Sequence, residues 1–136
     1  MSRLFVGIDP GLSGAVAFFA PAADGASAFL EVHDMPVFEV RVSGRVRKRL
    51  DIVGLLGVLG DLGEDRVERV CLEQVGPTPR DSRAGAFSFG EVFGATRACV
   101  YAHRLPLDPI TPQRWKKHFG LLRSEKDESR MKAIEL

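Results

Sequence analysis

Two carboxylates stand where the chain has little other use for charge. Asp9 closes the apolar run LFVGID and is followed at once by Pro10 and Gly11. Glu73 closes VERVCLE and runs into Gln74-Val75-Gly76-Pro77. A carboxylate in apolar sequence is costly unless a charge partner meets it. If their two strands are parallel neighbours, both acids project into one crevice and repel each other unless a cation lies between, and oxygen-only ligands suit Mg²⁺ or Mn²⁺. A cation held there can polarise a phosphoryl oxygen and ready a water as nucleophile. Taken singly, each acid is explained as well by turn capping, since Asp-Pro-Gly is good turn chemistry. The pair is what points to a site. Asp81, in the loop beside two arginines, and Asp108, on a proline-broken strand expected to turn away, are not expected to complete it.

Basic residues come in groups. Arg41, Arg45, Arg47, Lys48 and Arg49 lie within nine residues, in a stretch that reads as a hairpin turning at Ser43-Gly44. Such charge can guard an exposed strand edge against aggregation. The functional reading is phosphate contact, which fixes position without reading sequence. Arg80 and Arg83 follow Glu73, next to the candidate metal site. Arg114, Lys116 and Lys117 surround Trp115, and Lys126 lies beyond. Trp115 itself reads as a core anchor rather than a stacking platform. His33, His103 and His118 show no ligand spacing. Cys71 and Cys99 sit among apolar residues and read as small buried hydrophobes, not as a zinc site or a disulfide.

The elements that must position these residues follow from periodicity. The chain has 136 residues, 45% of them apolar, and a formal net charge of +1. That suits one globular domain, and global charge says nothing about partners. Neither a signal peptide nor a membrane-length apolar run is present, so a reducing, cytoplasmic setting is expected. Residues 3–9 form an apolar run read as a strand buried on both faces. Residues 14–20 return antiparallel, and 27–34 form a third strand. Apolar spacing predicts helices over 51–62 and 84–103 and a short one over 111–119 with Pro112 in its first turn. Strands are predicted at 67–73 and 105–110. Ser124 to Asp127 resembles a capping box opening a last helix. Apart from the hairpin stretch the expected order is βββαβαβα: a mixed five-stranded α/β sheet, three antiparallel strands and then parallel ones, flanked by helices. In such sheets, sites form at the carboxyl ends of the strands.

Four stretches together resemble one family: GIDPGLSGAVAF, CLEQVGP, SFGEVFGATRACVYAHRLPLDPITPQRWKKHFG and SEKDESRMKAIEL. They are similar to motifs of the RuvC family of Holliday-junction resolvases, in the RNase H-like (retroviral integrase) superfamily. The resemblance implies a bacterial or phage-type endonuclease that makes paired nicks in branched DNA, such as a four-way junction, with two Mg²⁺ or Mn²⁺ ions in the complete site. It implies a homodimer. Asp9 and Glu73 match the first two of the family's four acids. Lys117 (or Lys116) and Lys126 match lysines that face the scissile phosphate.

The sequence departs from the family in two places. The third and fourth acids belong on a helix that would follow residue 136, and Asp127 and Glu128 precede that position. The expectation is a single RuvC-like domain, 1–136, lacking the C-terminal helix with the last acidic motif, as a truncated form of a longer protein would. Such a chain should bind junctions and nick them barely. The alternative is a junction-binding module that does not cleave. An ATP-binding protein of the sugar-kinase and actin type would need two such domains. The second departure is at Val75-Gly76-Pro77, where the family carries an aromatic wedge; Phe87 and Phe89 are the nearest rings.

Overall fold

The computed structural model describes residues 3–25, 27–63, 66–122, 128 and 131, and of residues 27–30 the backbone only. Three strands follow one another from the amino terminus: β1 (Leu4–Asp9), β2 (Ala15–Pro21) and β3 (Ser27–Asp34). A hairpin of β4 (Val37–Val42) and β5 (Arg45–Leu50) comes next, then α1 (Ile52–Gly60) and β6 (Val67–Glu73). The order closes with α2 (Arg83–Ala102), β7 (Leu107–Ile110) and α3 (Pro112–His118).

The main sheet has five strands in the order β3-β2-β1-β6-β7, and the hairpin forms a separate two-stranded sheet. Strand β1 pairs antiparallel with β2 and parallel with β6, and β6 pairs parallel with β7. This is the mixed α/β sheet that the alternation of patterns implies. The last strand starts at Leu107 rather than Leu105, because Pro106 has no N–H for the ladder. Its carbonyl still accepts from Val70 N at 2.8 Å.

Leu4, Val6 and Ile8 of β1, Val16 and Phe18 of β2, and Val70 and Leu72 of β6 bury their side chains. The alternation gives the sheet one apolar face. Leu55 and Leu59 of α1 and Val92, Cys99 and Val100 of α2 share this core. Each such burial contributes on the order of 1.5–3 kcal/mol. Thr96, the one buried polar residue among those described, donates from its hydroxyl to the carbonyl of Val92 at 2.8 Å.

Three helix starts carry capping side chains. Asp51, Ser82 and Thr111 accept from the backbone N–H of Gly54, Gly85 and Arg114. Gly54 weakens α1 by propensity, yet a β-carbon there would lie 2.6 Å from the Asp51 carboxylate. A larger residue there would have to shift the capping carboxylate and Pro36. At the other end of α1, the ring nitrogen Nε2 of His103 lies 2.8 Å from the carbonyl oxygen of Leu56. That hydrogen bond ties α1 to the end of α2 and gives this histidine a structural role.

Candidate active site at the carboxyl ends of two parallel strands

Ile8 of β1 lies opposite Leu72 of β6. Asp9 and Glu73 are therefore the next residue of each strand, at the same end of the sheet. Neighbouring strands run about 4.8 Å apart, and opposed residues of a parallel pair share a face. Buried Ile8 and Leu72 point into the core, so Asp9 and Glu73 rise from the opposite face, where Gly7 and Cys71 also lie. Asp9 is exposed and Glu73 half-buried.

The loop that carries Asp9 is held tightly. Gly14 N–H donates to Gly11 O at 2.9 Å, and Met35 N–H donates to Gly14 O at 2.9 Å. A β-carbon on Gly14 would overlap the Asp9 carbonyl. Only glycine lets β2 begin so close beneath the end of β1.

Glu73 has a partner that the sequence did not suggest. The indole Nε1–H of Trp115 donates to Glu73 Oε1 at 3.0 Å. Strand β7 places that indole: Glu73 lies opposite Ile110, and Gln74 N–H donates to Ile110 O at 2.8 Å. Helix α3 starts immediately after, at Pro112. Its other end closes in a Schellman motif, with Leu121 N–H to Lys116 O at 2.7 Å, Gly120 N–H to Lys117 O at 3.2 Å, and Gly120 at φ +70°. Read as a core anchor, Trp115 is half-buried, and its polar atom serves the site. Lys116 Nζ sits 5.5 Å from the centre of the same ring. Lys117 is exposed. With Ile110, Arg114, Trp115, His118 and Phe119 it lines a cavity of about 560 Å³. Lys126 and the stretch 124–127 lie outside the described residues.

Two further acids are accounted for. Asp108 does not turn away: it lies opposite Cys71, on the face that bears Asp9 and Glu73. Its carboxylate is taken by Arg69 at 2.9 Å, with Arg114 at 4.0 Å. Asp81 accepts from Thr78 N–H at 2.6 Å, which turns the loop after Glu73 back on itself. The Cys71 thiol is half-buried; burial pushes it above the ordinary thiol range, Asp108 adds to the rise, and Arg69 and Arg114 oppose it. Cys99 is raised by burial as well.

Among the basic residues, Arg80 and Arg83 are exposed. Arg45, Arg47 and Arg49 are opposite Val42, Val40 and Phe38, so the three arginines share one face of the hairpin, and Lys48 is on the other. Arg49 lies 3.8 Å from Glu91 of α2. Arg45, Arg47 and Lys48 form no ion pair among the described residues. Phe87 is 76% exposed on the first turns of α2, and Phe89 is half-buried there.

Among the described residues no group of three or more His, Cys, Asp or Glu side chains is placed to hold a metal. Asp9 and Glu73 supply two oxygen donors side by side. That set fits a hard divalent cation that keeps much of its water shell.

No protein-family model and no curated protein matches the chain. Solved structures do. Thermus thermophilus RuvC is 19% identical, with a TM-score of 0.64, over 96% of this chain and 77% of that one. T. thermophilus RuvC in complex with a Holliday junction substrate is 17% identical, with a TM-score of 0.58, over 91% of this chain and 82% of that one. The likeness that four short motifs carry thus extends over nearly the whole chain, which has the fold of RuvC.

Proposed function

We propose that this chain is a RuvC-like endonuclease that nicks four-way junctions and related branched DNA by metal-dependent phosphodiester hydrolysis. The observation that carries the reading is the placement of Asp9 and Glu73 as next-door residues on two parallel strands, on one face, at one end of a RuvC-type sheet. That the similar protein was solved with a Holliday junction substrate supports branched DNA as the partner.

Asp9, exposed at the strand end, is the carboxylate that would bridge toward DNA, and Glu73 would hold an ion from one side. Mg²⁺ or Mn²⁺ held by Asp9 and Glu73 would supply Lewis-acid stabilisation of the phosphate and a water of lowered pKa. Lys117 is the cation that would face the scissile phosphate. Lys116, whose ammonium lies 5.5 Å from the centre of the Trp115 ring, is the alternative. Lys126 would join them from beyond the described residues. Arg45, Arg47, Lys48 and Arg49 on the hairpin, with Arg80 and Arg83 beyond Glu73, would hold the arms of the junction by their phosphates. Two copies of the chain would set two such sites against two strands.

A gel-shift comparison tests the binding half. A synthetic four-way junction should be bound more tightly than a duplex of the same sequence. Equal affinity for both would overturn junction selectivity.

A further inference from the structure

We infer that Trp115 is a positioning residue for the proposed metal ligand Glu73, fixing by its indole N–H which carboxylate oxygen is left for the cation. The inference rests on the reading of Asp9 and Glu73 as a metal site and adds a residue to it. Trp115 Nε1 donates to Glu73 Oε1 at 3.0 Å, across 42 residues of chain. An indole N–H can only donate, and a bond from it to an ionised carboxylate is of the stronger, charge-assisted kind.

A glutamate at a strand end has three torsions to settle, and a cation that binds it must otherwise order them all. Trp115 does this in advance because its own backbone is fixed on both sides. Thr111 caps the start of α3, and Gly120 closes its end. Arg114, the neighbouring residue, reaches Asp108 on β7. Oε1 is occupied by the indole, and Oε2 has no protein partner among the described residues. Carboxylates that hold metals are themselves oriented by such outer hydrogen bonds, and losing one typically lowers metal affinity by about 10–100-fold.

A buried tryptophan often needs an acceptor for its N–H simply to be satisfied, so the test must read the ion and not the fold. Trp115 is the single tryptophan of the chain, so its emission reports on Glu73 directly. Mn²⁺ binding to the 136-residue chain is followed by the electron paramagnetic resonance of the free ion, for wild type, Trp115→Phe and Asp9→Asn. Tryptophan emission of wild type and Asp9→Asn is followed against Mg²⁺. Trp115→Phe should weaken Mn²⁺ binding by about tenfold or more. Wild-type emission should change saturably with Mg²⁺, and Asp9→Asn should abolish that change. If Trp115→Phe does not fold, the emission titration alone decides. Unchanged Mn²⁺ affinity in folded Trp115→Phe, or Mg²⁺-blind emission, overturns the positioning role while Asp9→Asn still shows the metal site by its lost affinity. Full Mn²⁺ affinity in Asp9→Asn overturns the metal site and the positioning role together.

Discussion

A β-carbon on Gly14 would overlap the carbonyl of Asp9 and crowd Gly11 O at 2.9 Å. Gly14→Ala should therefore cost about 1–3 kcal/mol, in the range of other overpacked sites. It should also displace Asp9, so urea unfolding and Mn²⁺ affinity should both suffer. Ala at Gly76, where a β-carbon meets nothing within 4 Å, should change neither. The thiols give a second check at this scale. Burial holds both Cys71 and Cys99 above the ordinary thiol range, and the thiolate is the reactive form. Alkylation by iodoacetamide near pH 8 should be slow for both in the folded chain and fast in urea. Cys71, half-buried, should react before Cys99 as the pH rises; the reverse order would contradict the placement of Cys71 on the open face of the sheet.

The hairpin sets the expectation at the scale of elements. Arg45, Arg47 and Arg49 share one of its faces, but Arg49 is near Glu91. Replacing all three by alanine should make the log–log salt slope of junction binding shallower by roughly two to three units, about one for each phosphate no longer neutralised. Because Arg49 has a partner in the free protein, its single replacement should contribute least. An unchanged slope would leave the stretch as a charged edge and nothing more. The hairpin was legible in the sequence because Ser43-Gly44 is a turn with positive φ at both residues, 50° and 76°. Trp115 was not: its partner is 42 residues away, and no short-range pattern distinguishes an indole that serves a carboxylate from one that only fills a core. Asp108 was misplaced because two prolines flank it, yet proline at a sheet edge removes only an outward donor. Strand β7, at the edge of the sheet, stays in register beside β6.

At the scale of the whole molecule, sheet topology turns two distant strand-end acids into neighbours. Periodicity located both strands, and the parallel pairing of β1 with β6 supplies the adjacency that periodicity alone cannot. The roles proposed for Asp9 and Glu73 rest on that adjacency. Because no third acid joins Asp9 and Glu73 in a metal-holding group among the described residues, nicking by the 136-residue chain should be slow. It is best measured with protein in excess over DNA, on an end-labelled synthetic four-way junction with Mg²⁺ or Mn²⁺. Wild type should release nicked strands only when the metal is present. Asp9→Asn, which removes charge at nearly constant shape, should still bind the junction. It should lose nicking by on the order of a hundredfold or more, since a metal contributes several kcal/mol and each decade is about 1.4 kcal/mol. Nicking by Asp9→Asn at the wild-type rate, or wild-type nicking that persists in excess chelator, would contradict the account.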